Sequence, residues 1–290
     1  MQHHRHLVQQ KLLGKNSVKI PEPLNSVAAL VDRYHEDQQE DPRPHFGCSQ
    51  AGHYCERWLW LSFRWAVREV FPGRVKRLFR RGQLEEETVV ADLRAIGCEV
   101  TDTTPDGEQI RAILRPHLSG SLDGIIESGL PQAPKTRHVL EIKTHALKSF
   151  GDLKNGVEKS KLQHFVQMQL YMHSTGIDRA LYYAVCKNDD QIYTERVNYD
   201  AAVAEKYIEK SERIIASDRA PEGVIGDPTW YQCKWCAGHS VCYGEAELER
   251  NCRTCVHVRV EDEFVCGLAD QAIPLDVQRV GCDKYKAMIC

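Results

Sequence analysis

Two carboxylates and a lysine form the most chemically suggestive group in this sequence. Asp123 follows Ser119-Gly-Ser-Leu and precedes Gly124, while Glu141 and Lys143 stand within Val139-Leu-Glu-Ile-Lys-Thr144. The apolar, β-branched second segment reads as a strand, and i, i+2 spacing on a strand puts Glu141 and Lys143 on one face. Gly124 lets the chain turn beside Asp123. Such carboxylates would hold Mg2+ or Mn2+ through hard oxygen ligands. An ammonium beside them would orient or deprotonate a water, or neutralise charge on a phosphorane-like transition state. The same residues would also suit an ordinary hairpin carrying a solvated charge pair, so the site needs support from elsewhere in the chain.

The surrounding pattern supplies elements that could position these groups. Residues 98–102 and 109–118 alternate as strands and lead into the Asp123 segment. A helix is predicted over 161–174, with Gln167 and Tyr171 one turn apart on one face. Strands at 180–186 and 192–197, joined by Lys187-Asn-Asp-Asp, precede a helix over 201–216. Upstream, residues 1–26 read as an irregular lead. A helix over 27–38 would be capped by Asn25 or Ser26. Trp58, Leu59, Leu61, Phe63 and Trp65 mark an aromatic core helix. A further helix opens with Arg74, Lys76, Arg77, Arg80 and Arg81 and continues through Glu85, Glu86 and Glu87. That charge run is either a solvated helix face or a local phosphate-binding patch. The polar, Lys-rich stretch from 145 to 161 reads as a loop.

Composition narrows the classes. The chain has 290 residues, 42% hydrophobic and 27% charged, with a formal net charge of −3. These values describe a globular protein without general affinity for polyanions. There is no apolar run of membrane-spanning length and no secretory pattern, which predicts a cytoplasmic protein without membrane partners. Seven of the twelve cysteines, Cys233 to Cys282, are crowded near the C-terminus. In a reducing compartment, paired Cys-x-x-Cys spacings favour metal or cluster ligation over disulfides.

Taken together, these motifs resemble the PD-(D/E)xK nuclease superfamily, in particular its RecB-like and lambda-exonuclease-like branches. Asp123 matches the motif aspartate and Glu141-Ile-Lys143 the (D/E)xK. Gln167-Met-Gln-Leu-Tyr171 matches the QxxxY helix, and Arg81-Gly-Gln-Leu-Glu-Glu86 looks like an RGxxxE signature. The resemblance covers about residues 46–200. It implies an α/β fold: a restriction-endonuclease-like core of central mixed sheet flanked by helices, followed by a cysteine-rich metal-binding tail. The expected divisions are a lead and linker over 1–45, a nuclease domain over 46–245 and the tail over 246–290. Glu86, Asp123, Glu141 and the Ile142 carbonyl would surround Mg2+ or Mn2+. Lys143 would serve the water, and Gln167 and Tyr171 would position lysine or phosphate.

Cys55 ahead of this core, with Cys233, Cys236 and Cys242 behind it, resembles the iron–sulfur staple of AddB and of CRISPR-associated RecB-like nucleases. The resemblance implies a [4Fe–4S] cluster; the thiols alone would also suit zinc. Cys48 is a rival first ligand, but the family writes Cys-x-Arg at this helix, as in Cys55-Glu-Arg57. The chain then departs from the family by continuing through Cys252, Cys255, Cys266 and Cys282. These could form a separate zinc site, with His257 as a substitute ligand. Cys98 and Cys186 read as buried inert thiols and Cys290 as a free terminal one.

The resemblance implies a metal-dependent DNA exonuclease, 5′→3′ in polarity, acting in phage recombination or CRISPR adaptation on single-stranded DNA or duplex ends. A protein partner or self-association remains compatible with it. The alternatives are a nuclease module of a larger complex and a non-catalytic, cysteine-rich DNA-binding adaptor.

Overall fold

The computed structural model describes residues 26–38, 41–224 and 227–290, so the expected irregular lead lies outside the described residues apart from Ser26. The described residues divide into two compact units, 26–38 with 71–78, and 41–70 with those from 79 onward. In the first, helix α1 (Val27–Asp37) is capped by Ser26, whose hydroxyl accepts from the Ala29 amide. Asp32 pairs with Arg77, and the Glu36 carboxylate accepts from the Gly73 amide at 3.0 Å.

In the second unit, the aromatic segment forms α2 (Glu56–Phe63), with Leu59, Trp60, Leu61 and Phe63 buried as core. The helix stops at Arg64, after which Trp65 turns the chain with a φ of 52°. The basic and acidic runs share one long helix, α3 (Gly73–Ala95), whose segment from Phe79 onward belongs to this unit.

The strands make two sheets. β1 (Phe46–Gly47), β3 (Arg111–Arg115) and β4 (Leu118–Ser121) form the smaller, with β4 central. The larger is mixed, in the order β2 (Glu99–Thr101), β5 (Gly124–Ser128), β6 (His138–His145), β7 (Arg179–Cys186) and β8 (Ile192–Asn198). Within this larger sheet only β6 and β7 pair in parallel, across the crossover that carries α4 (Leu162–Thr175).

Alternation along β6 and β7 decides which helix covers which face. Leu140, Ile142, Leu181, Tyr183 and Val185 join Val89, Val90 and Leu93 of α3 in one cluster. Val139, Ala180, Tyr182 and Ala184 join Phe165, Val166 and Met168 of α4 in the main core, together with Ile208 and Ile214 of α5 (Ala201–Ala216). The expected α/β architecture, a central mixed sheet flanked by helices, is present.

Two local expectations are corrected. The single strand expected over 109–118 gives way to a hairpin, because His117 adopts a φ of 62° and sends β4 back along β3. The stretch 145–160 is not a loop. It forms short helices at Leu147–Gly151, Asp152–Asn155 and Val157–Ser160, pinned because Leu153 and Val157 are buried in the main core.

The tail adds a small antiparallel sheet of β9 (Val258–Val260), β10 (Phe264–Cys266) and β11 (Gln271–Ala272). It belongs to the same compact unit as the α/β core. Arg253, fully buried, donates to the carbonyls of Phe63 at 3.0 Å and Pro44 at 2.9 Å. Its guanidinium stacks 3.6 Å from the Trp65 ring and 4.1 Å from the Phe264 ring. Among the described residues, no helix is long and apolar enough to cross a membrane.

Candidate active site

Asp123 sits where the chain passes from one sheet to the other. β4 ends at Ser121 in the small sheet and β5 starts at Gly124 in the large one. The β5–β6 ladder runs out at Gly124 opposite Leu140. One strand-end amide of β6 therefore needs another acceptor, and Asp123 Oδ2 takes the Ile142 N–H at 2.7 Å. That bond holds the Asp123 carboxylate against the (D/E)xK strand.

Glu141 and Lys143 share a face of β6, as their spacing predicted. The Lys143 ammonium contacts the Glu141 carboxylate, lies 3.6 Å from Asp123 Oδ2 and donates to the Ile142 carbonyl at 2.9 Å. The Lys143 side chain keeps 25% of its surface exposed, whereas Glu141 has none. Neither Glu141 oxygen has a well-directed hydrogen-bond partner among the described residues. A buried carboxylate left in that state is costly.

The electrostatics agree with this crowding. Burial foremost, helped by Asp123 and Glu86 and opposed by Lys143, raises Glu141 to about 8. Burial and then Asp123 raise Glu86, on α3, to about 7. Burial opposes the charge on Lys143, but Glu141 and Asp123 outweigh it and hold the ammonium above its ordinary range. Three crowded carboxylates, one of them fully buried with Lys143 as its ion-pair partner, have the oxygen donor chemistry a hard divalent cation requires.

Gln167 and Tyr171 reach the site indirectly. The Gln167 amide donates to the Tyr171 hydroxyl at 3.1 Å, and that hydroxyl donates to the Ser121 carbonyl at 2.7 Å. They brace the strand that leads into Asp123. Arg74, Arg80 and Arg81 are exposed, with Arg81 donating to the Lys187 carbonyl at 3.2 Å.

Three further residues stand close to the site: Cys48, named above only as a rival cluster ligand, and His145 and His164, which were not singled out in sequence. Cys48 is fully buried, and burial pushes its thiol up to about 12, with Glu141 among the charges acting on it. It stands apart from the grouped thiols. His145 continues the Glu141, Lys143 alternation, and His164 precedes Gln167 by one turn. Those two spacings could have revealed them.

Cys55, Cys233, Cys236 and Cys242 lie near enough to act on one another electrostatically, with Cys290 beside Cys242. Burial raises Cys236, and the Cys55 and Cys233 thiols add to the shift. Burial lifts Cys242 to about 11; Arg57 offsets part of this, while Cys290 and Cys236 reinforce it. Cys290, read as a bystander, thus stands beside this group. In the tail, Cys252, Cys255, Cys266 and Cys282 line one cavity with His257. Burial and then the other three thiols raise Cys252. All twelve cysteines are free. Among the described residues, no group of three or more His, Cys, Asp or Glu side chains is placed so that it could hold a metal ion.

Comparison with known proteins gives one family match: residues 46–178 match the YqaJ-like viral recombinase domain. This supports a nuclease of the PD-(D/E)xK kind. No curated protein matches the sequence. Among solved structures, SSO0001 aligns over 77% of this chain and 100% of its own, at 12% identity and a TM-score of 0.45. The alkaline exonuclease LHK-Exo from Laribacter hongkongensis aligns over 60% of this chain and 88% of its own, at 18% identity and a TM-score of 0.43. A phage-related exonuclease from Haemophilus somnus aligns over 46% and 66%, at 17% identity and a TM-score of 0.30.

Proposed function

We propose that the chain is a DNA exonuclease of the recombination type, dependent on Mg2+ or Mn2+ and 5′→3′ in polarity. The observation that carries this reading is the buried Glu141 carboxylate, without directed partners, beside Asp123 and Lys143 where the two sheets meet. Glu86, Asp123 and Glu141 would hold the ion. When bound, it would polarise the phosphodiester and ease ionisation of a water.

The chain's own residues do the rest. Lys143 is held by Asp123, Glu141 and the Ile142 carbonyl with part of its surface open, so it can meet an incoming phosphate. Its neighbours keep it protonated, so it donates hydrogen bonds to phosphate or water and does not act as the base. Since Lys143 occupies the Ile142 carbonyl, that oxygen would serve the ion only after the lysine shifts. Gln167 and Tyr171 fix β4 and hence the approach of Asp123.

Cys55, Cys233, Cys236 and Cys242 would hold the [4Fe–4S] cluster that the resemblance implies. Cys252, Cys255, Cys266 and Cys282, which line one cavity, would hold zinc. Thiols kept reduced for such roles fit a cytoplasmic setting. The test is cleavage of linear duplexes carrying a label on either the 5′ or the 3′ end, with Mg2+ or Mn2+ and with EDTA. Metal-dependent release starting from the 5′ end is expected. No cleavage with either ion would defeat the reading, and release from the 3′ end would reverse its polarity.

A further inference from the structure

Three polar side chains near the carboxylates have no part in the chemistry described so far. Glu141, Lys143 and His145 alternate along β6 and so share its face. Tyr182 lies opposite Glu141 in the β6–β7 register and is fully buried. Its hydroxyl is 2.8 Å from His145 Nε2 and 2.9 Å from His164 Nδ1. His145 Nδ1 is 3.1 Å from the Ser149 hydroxyl.

The proton count constrains this chain of contacts. A phenol has one proton to donate, so it satisfies one imidazole and must accept an N–H from the other. Burial, then the charges of Lys161, Lys187 and Lys143, hold His145 down at about 4. Burial and Lys143 hold His164 down at about 3. Both rings are therefore neutral at neutral pH. Two directions satisfy these contacts, and the one that leaves a donor at the outer nitrogen runs from the Ser149 hydroxyl to His145 Nδ1, from His145 Nε2–H to the Tyr182 oxygen, and from the Tyr182 hydroxyl to His164 Nδ1. That leaves a proton on His164 Nε2. This nitrogen has no protein hydrogen bond among the described residues and is not a sealed, unpartnered atom. The ring is half-buried, with Lys143 the foremost charge acting on it.

We propose that His164 is a substrate-binding residue whose neutral Nε2–H donates to a DNA phosphate oxygen beside Lys143, with Tyr182 and His145 as the positioning pair that fixes its tautomer. This rests on the nuclease reading above. A neutral donor adds direction where Lys143 adds charge, and it contributes no further repulsion among the cations already there.

The test uses the full chain with 15N-labelled histidine and a short 5′-phosphorylated oligonucleotide, Ca2+ replacing Mg2+. The expected result is His164 neutral with its proton on Nε2, and an Nε2 resonance that shifts when DNA is added. Tyr182→Phe should abolish that fixed tautomer. In the Mg2+ cleavage assay, His164→Ala should lose about 10–100-fold in turnover, the size of one hydrogen bond to a charged group. His164→Gln, which restores an N–H donor, should recover part of the loss at an unchanged Tm. A proton found on Nδ1, or a resonance indifferent to DNA, overturns the proposal. So does a His164→Ala protein as active as the unaltered chain, while the nuclease reading stands. An unaltered chain that cleaves nothing with Mg2+ or Mn2+ defeats both.

Discussion

Asp123 does two jobs with one carboxylate. Oδ2 closes the gap in the β6 backbone by accepting from Ile142, and the negative charge faces Lys143. Asp123→Asn can keep an oxygen for the amide while removing the charge. The fold should survive with little change in Tm, while turnover falls by about 10³-fold, the scale of losing a preorganised electrostatic contact. Wild-type turnover in that variant would remove Asp123 from the site. Glu86 tests the opposite sign. Burial and Asp123 disfavour its charge, so Glu86→Gln should raise stability in EDTA by about 1 kcal/mol while weakening Mn2+ binding. A lower Tm with unchanged Mn2+ binding would show that Glu86 belongs to the fold alone. The spacing of Glu141 and Lys143 made their shared face legible in sequence. The link from Tyr171 to Ser121 was not, because it depends on where β4 lies against α4.

At the scale of elements, the site depends on how closely α4 approaches β4. Gly120 permits that approach: a Cβ there would lie 2.6 Å from the Tyr171 hydroxyl and 2.8 Å from its ring. Gly120→Ala should therefore push α4 away, costing about 1–3 kcal/mol and lowering turnover through the misplaced Asp123. Thermal melting and the cleavage assay would check this, and an unchanged Tm would contradict it. Elements with clean periodicity, such as β8 and α5, were readable because one face is more buried than the other, and β7 because an unbroken apolar run of strand length marks a strand buried on both faces. The short helices over 147–160 were obscured by their charged residues. Leu153 and Val157 are their only buried residues, which is too few to set a visible period. Likewise, the hairpin at His117 depends on a left-handed residue that composition does not announce.

At the scale of the molecule, the tail is built into the larger unit. Arg253 lies between Cys252 and Cys255, yet its guanidinium is bonded to carbonyls ahead of β1 and at the end of α2. The cysteine spacing pointed to a self-contained tail, and nothing in the sequence paired Arg253 with Phe63 or Pro44. Arg253→Ala should cost about 3 kcal/mol or more, because carbonyls and aromatic faces lose a buried cation together, and should lower Tm by roughly 10 °C. A shift of only a degree or two would mean the tail is loosely attached. The thiol groups should still separate by metal content. Cys233→Ser should lose iron, whereas Cys255→Ser should lose zinc and keep iron, as read by visible absorbance and elemental analysis. Equal loss of iron in both would merge the two groups into one system.

The central claim is that Glu86, Asp123 and Glu141 form one divalent-ion site. The most direct measurement is an electron paramagnetic resonance titration of Mn2+ into the unaltered protein and into Glu141→Gln. The free Mn2+ signal should be suppressed by the unaltered chain and largely restored in the variant, with both proteins folded by circular dichroism. Equal suppression by the two proteins, or none by the unaltered one, would contradict it.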